Sequence, residues 1–251
     1  MSIHIYNKQR QAQGGFNNGE IIENKPIGFP QDGGGLKPFS NMFYWAHAYT
    51  GEKESLIGLH PHKGFEIMSF ILKGEVEHFD TSLQKWIPLK EGDVQIIRSG
   101  SGISHAEKLK ANTALFQIWV DPNIGKTLYQ DASYNDYREG DFPVYEDGGW
   151  KRIILAGEGS PMNMDAQQVG IEKWRFEPGE YSVSLGNDSY LSLYTISGIL
   201  HINGQELNRD SYALIDEATE LELRVEEPTE VFMMSNPLQP GHATYASRFE
   251  R

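Results

Sequence analysis

The amino-acid sequence predicts an all-β protein in which two barrels of short antiparallel strands pack together. Glycine and proline, 26 and 12 of the 251 residues, interrupt the chain at short intervals over its whole length. The runs between them are rich in β-branched and aromatic residues, and helical periodicity is hard to find at any length. Many short strands at regular turn spacing indicate a sandwich or barrel rather than alternating strands and helices.

Strand-like runs extend along the whole chain. They lie at residues 65–72, 94–97, 114–120, 189–196, 212–215 and 230–234. Residues 220–225 alternate between charged and apolar side chains, which is typical of a strand with one buried face. The best helix candidate is a short segment at 123–131. The aromatic residues Phe43, Tyr44 and Trp45 are most simply part of the core.

A short internal repeat indicates two domains. Residues 71–77 read as a strand, a glycine turn and a second strand, and residues 195–201 repeat this pattern. Each copy continues through a polar stretch and a glycine or aspartate turn into another strand. We therefore predict an N-terminal barrel at residues 1–138 and a C-terminal barrel at 150–251, with a turn-rich linker near 138–149 between them.

Composition excludes several functional classes. The net charge of −13, from 35 acidic and 22 basic residues, repels phosphate backbones, so we expect no direct nucleic-acid binding. The absence of cysteine excludes disulfides and thiolate metal sites and suits a reducing cytoplasm. The N-terminus lacks a signal-peptide pattern, and the longest apolar runs are far shorter than the ~20 residues of a membrane helix. We expect a monomeric cytoplasmic protein without membrane contact.

Two short histidine motifs carry the chemistry. In His60-Pro61-His62 and in His105-Ala106-Glu107, the outer residues are two apart, so on extended strands they point to the same face. A single motif of the first kind is more often a hydrogen-bonded pair than a metal site, and one of the second kind is a weaker signal still. Together, on facing strands of a small barrel, they supply three nitrogens and one carboxylate oxygen. That set suits iron(II), manganese, nickel, cobalt or zinc rather than calcium or magnesium, which prefer oxygen ligands.

These motifs carry a family resemblance. Residues 59–78 and 92–107 resemble the first and second cupin motifs in the form found in pirins, and residues 37–39 and 115–120 fit the same pattern. The clear match covers residues 37–122, and beyond it only the two-barrel layout is similar. The resemblance implies two cupin barrels of the double-stranded β-helix (jelly-roll) type. It places a single divalent metal ion, iron(II) above manganese, nickel, cobalt, copper or zinc, in the N-terminal barrel only.

The resemblance also implies roles for individual side chains. The metal ligands correspond to His60, His62, His105 and Glu107. Ordinary cupins take their carboxylate from the position of Glu66, so we expect Glu66 to stand behind the ligands and hydrogen-bond an imidazole. His78 could do the same, or it could lie at a solvated strand end.

Two functions follow from this resemblance. Some pirin-like proteins cleave flavonols such as quercetin with dioxygen and release carbon monoxide, which implies a small aromatic substrate and a catalytic role for Glu107 in taking the hydroxyl proton. Eukaryotic pirins instead resemble iron-dependent, redox-sensing modulators that bind a protein partner. We favour the dioxygenase. A pocket that admits a bicyclic ligand to the metal would distinguish the two.

Overall fold

The computed structural model describes residues 2–184, 189–216 and 218–249. Within them the regular structure is nearly all antiparallel strand, with one short α-helix, α1, at Ile124–Thr127 and five single-turn 3-10 helices. The first twelve strands are β1 (Ser2–Tyr6), β2 (Ala12–Phe16), β3 (Ile21–Ile27), β4 (Met42–Thr50), β5 (Ser55–His62), β6 (Glu66–Lys73), β7 (Glu75–Asp80), β8 (Trp86–Lys90), β9 (Val94–Arg98), β10 (Ile103–Leu109), β11 (Ala114–Val120) and β12 (Ser133–Tyr137). The remaining strands are β13 (Val144–Asp147), β14 (Trp150–Ala156), β15 (Gly170–Phe176), β16 (Gly179–Ser184), β17 (Ser189–Ser197), β18 (Ile199–Ile202), β19 (Gln205–Asn208), β20 (Tyr212–Asp216), β21 (Glu220–Val225) and β22 (Thr229–Pro237).

The chain separates into two compact units. The first unit contains Gln11–Asp141, Met164–Gln167 and the segment from Gly241 onward. The second unit contains the segment up to Arg10 together with Phe142–Asn163 and Gln168–Pro240. The division into domains at 1–138 and 150–251 stays a prediction, and three short segments group differently from it in these compact units.

Each unit consists of one seven-stranded and one four-stranded sheet, and the strand orders correspond except at one edge, where β12 follows the other strands of its unit and β1 precedes those of its unit. In the first unit the order is β12-β9-β6-β11-β4-β3-β2 beside β5-β10-β7-β8. In the second unit it is β1-β20-β17-β22-β15-β14-β13 beside β16-β21-β18-β19. Among the described residues the hydrogen-bond ladder closes neither large sheet into a ring. The predicted barrels are therefore two-sheet jelly rolls rather than closed barrels.

The repeated strand–glycine–strand pattern has a structural basis. Gly74 and Gly198 both adopt positive φ, 77° and 75°, which favours glycine at the turn. A threonine hydroxyl supports each turn. Thr113 Oγ1 accepts a hydrogen bond of 3.1 Å from the N–H of Glu75, and Thr229 Oγ1 accepts one of 3.2 Å from the N–H of Ile199. The two units thus share this glycine turn and its threonine support, as the internal repeat predicts.

Other expectations from the sequence compare with the structure as follows. Phe43, Tyr44 and Trp45 are buried, which confirms their place in the core. The predicted helix at 123–131 shortens to α1, whose first turns are held by Asp121 Oδ1, 2.8 Å from two backbone N–H groups. The predicted linker contains β13, an edge strand of the second unit. None of the helices described is long and apolar enough to cross a membrane.

Candidate metal centre

The pairing of β5 with β10 brings the two histidine motifs together in the first unit. The strands are antiparallel, with His105 opposite His60 and Ile103 opposite His62. A bulge interrupts this register between His105 and Glu107. Bulges often redirect a side chain beside a functional site, and here the bulge lies between two of the predicted ligands. On its other side β10 pairs with β7, where Glu107 lies opposite His78.

The three histidines form one compact cluster. Their ring centroids are 4.7 Å apart for His60 and His62, 4.4 Å for His60 and His105, and 4.7 Å for His62 and His105. One ring nitrogen from each lies within 4.8 Å of the others, close enough for a single ion to join them. His105 is fully buried, His62 is buried and His60 is half-buried. The cluster therefore runs from the interior of the unit to its surface.

The hydrogen bonding of these rings fits a metal site. The Nδ1 of His60 lies 2.8 Å from the Gly58 carbonyl, and donation from Nδ1 to that carbonyl leaves Nε2 free as a ligand. In the part of the chain that the structure describes, the buried Nε2 of His62 and both ring nitrogens of His105 have no hydrogen-bond partner. Buried polar atoms are rarely left unpaired, so these nitrogens point to a bound group. The donor set suits a divalent transition metal.

Burial also keeps these histidines neutral, as metal ligation requires. Burial, with the neighbouring imidazoles His105 and His60, lowers the pKa of His62 to about 3. The negative charge of Glu107 opposes that shift, which indicates that the carboxylate lies near enough to affect His62. Burial is also the main cause that lowers the pKa of His105 to about 2. Protons therefore compete weakly for these two ligands in the folded protein.

The low pKa values predict that acid destabilises the metal-free protein. In the unfolded chain histidine titrates near ~6.5, so below that pH the unfolded state takes up protons that the folded state refuses. Above pH ~6.5 the burial of the two neutral imidazoles therefore costs no stability. The free energy of unfolding falls as the pH drops from there toward the pKa values of the folded state. For His105 alone the loss between pH 6.5 and 5 should be about 2 kcal/mol. Urea unfolding in the presence of a chelator measures it.

The control for this pH dependence is a matched pair of variants. His105→Gln removes the titrating group and should flatten the fall in unfolding free energy between pH 7 and 5. His201→Gln, which changes a histidine on β18 of the second unit, should keep the wild-type slope. If His105→Gln and wild type lost equal stability over this range, burial of His105 would not be the cause.

Glu107 is held by a side chain that the sequence analysis did not single out. Gln117 on β11 donates from Nε2 to both carboxylate oxygens of Glu107, at 3.0 and 2.9 Å. Its Oε1 accepts a hydrogen bond of 3.2 Å from Trp119 Nε1. This chain of bonds fixes the orientation of the Glu107 carboxylate. The available signal was a glutamine within an otherwise apolar strand, 114–120.

The structure places Glu107 beside a second cluster. His78, His105 and Glu107 also offer ligand atoms that lie within 4.8 Å of one another, and His105 belongs to both groups. His78 is buried, so its reading as a solvated strand end is wrong. Its Nε2 lies 3.2 Å from the buried carboxylate of Asp80, which orients the ring. The three predicted histidine ligands thus form one group. Glu107 belongs to the second group, which has His105 in common with the first.

Glu66 does not support the ligands, contrary to expectation. Successive side chains of β6 point to opposite faces, and Ser69, three residues along, approaches Glu107 at 3.5 Å. Glu66 therefore lies on the other face. There it accepts hydrogen bonds of 2.7 and 2.9 Å from the backbone N–H groups of Asp165 and Ala166. Burial raises the pKa of Glu66 to about 7 despite these bonds. Its role is to hold this short segment against the first unit.

An open cleft of about 380 Å³ reaches the histidine cluster. It is lined by Pro61, His62, Lys63, Thr81, Gly102, Ile103 and Ser104. The half-buried rings of Trp119 and Phe65 flank His62, with centroids 5.1 and 5.5 Å from the imidazole. A volume in this range lies within that of small-molecule sites, and the two aromatic rings give the surroundings of His62 an apolar surface.

Comparisons with known proteins agree with these observations. The family model described as Pirin matches residues 24–120. A pirin-like protein of Caulobacter vibrioides is 33% identical over 168 residues, which cover 63% of this chain and 68% of that protein. A quercetin 2,3-dioxygenase of Escherichia coli K12 is 26% identical over 186 residues, covering 72% of this chain and 76% of that protein.

Solved structures share the fold over nearly the whole chain. YhhW from Escherichia coli matches with a TM-score of 0.79 at 20% identity, covering 96% of this chain and 100% of that chain. The same bacterial pirin in complex with nickel(II) matches with a TM-score of 0.75 at 20% identity, covering 94% and 99%. At this identity the likeness establishes the two-jelly-roll fold.

Proposed function

Because the chain belongs to the pirin family of cupins, we propose that it holds one divalent metal ion through His60, His62, His105 and Glu107 and uses it to open flavonol-type rings with dioxygen. The observation that carries the proposal is the cluster of three imidazoles whose buried nitrogens lack partners beside an open cleft. Iron(II) is the metal we propose first, with manganese, nickel, cobalt, copper or zinc as alternatives.

The chain's own residues would divide the work as follows. A bound metal would act as a Lewis acid toward a phenolic oxygen of the substrate. Glu107 would take the hydroxyl proton, since its carboxylate is buried beside His105 and oriented by Gln117. His60 lies at the exposed end of the cluster, so the side of the metal that faces the cleft would stay open to the substrate. Trp119 and Phe65, half-buried beside His62, would give an aromatic substrate an apolar surface to pack against.

The size and position of the cleft support a small aromatic substrate. The cleft is open, has a volume of about 380 Å³ and includes His62 itself, so a flat ring system could approach the metal position from this side. The name of the Escherichia coli relative, quercetin 2,3-dioxygenase, motivates quercetin as the first compound to test. Quercetin is chosen as a representative flavonol. For the substrate in the cell we propose only the class, a flavonol-like phenol.

We expect metal-dependent quercetin turnover. The protein, stripped with chelator and reloaded separately with iron(II), manganese, nickel, cobalt or copper, should consume quercetin at its visible absorbance. It should also take up one dioxygen and release one carbon monoxide per ring opened. The control is the same metal at equal concentration with the double variant His60→Ala/His62→Ala. Turnover that no loaded form raises above this control would remove the dioxygenase assignment and favour the redox-sensing, partner-binding alternative.

The proposal includes two further properties of the protein. A cytoplasmic location would suit a site that depends on iron(II), and cell fractionation tests it. A monomeric state is the simplest arrangement for a centre whose ligands all come from one unit, and sedimentation equilibrium tests it.

A further inference from the structure

The second unit contains a cavity of about 500 Å³ that the proposed function does not use. Its walls include Trp150, Arg152, Glu172, Trp174 and Met233. This volume lies within the range of small-molecule sites, and a mostly apolar wall with a few converging polar groups is their usual composition.

The cavity adjoins the place in the second unit that corresponds to the metal centre of the first, and its walls include Val183 and Met233 from that place. Thr113 and Thr229 support equivalent turns, so counting four residues along β11 and β22 makes Met233 the counterpart of Gln117. On the small sheets, Val183 lies opposite Leu221 as His60 lies opposite His105.

The positions that correspond to His78 and Glu107 also hold apolar residues in the second unit. Ile202 lies opposite Leu223, as His78 lies opposite Glu107. In the second unit the described counterparts of the metal-site residues are therefore aliphatic. These apolar side chains offer no metal ligands, so the cavity beside them suits an organic molecule better than a metal ion.

The charged groups of the cavity neutralise each other. Arg152 donates from Nε and Nη2 to the two oxygens of Glu172, at 2.7 and 2.6 Å. Trp174 Nε1 donates a third bond of 2.7 Å to the same carboxylate. A bidentate pair of this kind leaves little net charge for a ligand to balance. An ionised ligand would have to be desolvated without a counter-ion, so a neutral one is favoured.

Trp150 supplies the recognition element. Its ring stacks on Phe176 at 5.6 Å and meets Trp174 edge-on at 5.4 Å, which fixes the indole plane at the cavity wall. The Arg152 guanidinium lies 5.2 Å from its centroid. Within the described residues the buried Nε1–H of Trp150 has no acceptor. A buried donor without an acceptor is unfavourable, and a bound molecule that shifts the indole ring slightly would supply the missing acceptor.

We propose that this cavity is a second, metal-independent binding site for a neutral planar aromatic molecule whose carbonyl or hydroxyl oxygen accepts a hydrogen bond from Trp150. The indole rings provide apolar walls for a flat ligand, and the Arg152–Glu172 pair selects against charge. Nothing in this proposal depends on the metal or on dioxygenase activity.

The test uses two probes of equal size and a protein without the metal centre. Isothermal titration calorimetry is carried out on the full chain carrying His60→Ala/His62→Ala, with 2-acetylnaphthalene as the neutral carbonyl probe. We expect saturable binding near one equivalent, with 2-naphthoate at least about tenfold weaker because it is ionised. Trp150→Phe keeps the ring and removes the donor, and it should weaken 2-acetylnaphthalene about tenfold.

A second variant covers the case in which Trp150→Phe fails to fold. Ala218→Leu fills the cavity from another wall and should also weaken the neutral probe, with circular dichroism confirming the fold of each protein. The proposal is overturned by the absence of saturable binding, by equal affinity for the two probes, or by wild-type affinity in both folded variants. Failure of quercetin turnover would leave it standing, because the protein tested here has no metal centre.

Discussion

Replacing His105 by alanine should abolish metal binding. His105 is fully buried and is the member common to both ligand groups, so no arrangement of the remaining side chains replaces it. Elemental analysis of protein purified without added metal should give about one equivalent for the wild type and almost none for His105→Ala. Quercetin turnover, where the wild type shows it, should disappear with the metal.

The matched control is His201→Ala. His201 lies on β18 of the second unit, opposite Glu206, and should leave the metal content unchanged. Full metal content in His105→Ala would show that the ion sits elsewhere. Two tightly held equivalents in the wild type would show that the assignment of a single centre is incomplete.

Glu107→Gln should lower metal affinity by more than about 100-fold, since changes outside the ligand shell cost 10–100-fold. The substitution removes the only carboxylate among the four proposed ligands while keeping the shape of the side chain. It should also remove the proton acceptor, so turnover at saturating metal should fall as well. Competition with a fluorescent chelator measures the affinity, and oxygen uptake measures the turnover.

Glu66→Gln is the informative comparison. Glu66 points to the opposite face of β6 and binds backbone N–H groups, so its substitution should leave metal affinity nearly unchanged. Equal losses in the two variants would mean that Glu66 reaches the metal after all. A normal affinity in Glu107→Gln combined with a loss in His78→Ala would transfer the fourth ligand position to His78, which shares a cluster with His105 and Glu107.

Much of the centre could be predicted because its information is local. His60 and His62 are two residues apart on one strand, so their side chains point to the same face. The proline between them favours the extended backbone that this requires. The glycine turns at Gly74 and Gly198 are likewise set by residues that lie next to each other in the sequence. These features indicate both the metal-binding face and the duplicated jelly roll without any long-range contact.

The remaining features depend on pairings between distant residues. Whether Glu66 points toward or away from the ligands depends on the register of β6, and its hydrogen-bond partners lie about a hundred residues along the chain, at separations of 99 and 100. Gln117 gains its role only because β11 passes beneath Glu107. The family motifs favour Glu107 over Glu66 as the carboxylate ligand, but they do not state what Glu66 binds instead.

The N-terminal strand has a consequence for synthesis. β1 pairs with β20, and the amide of Ser2 donates to Asp216, 214 positions later. At 5–20 residues per second, a ribosome needs roughly 10–40 s between making the two partners. During that interval the first strand has no native neighbour, and a chain without it would present the apolar edge of β20 to other molecules.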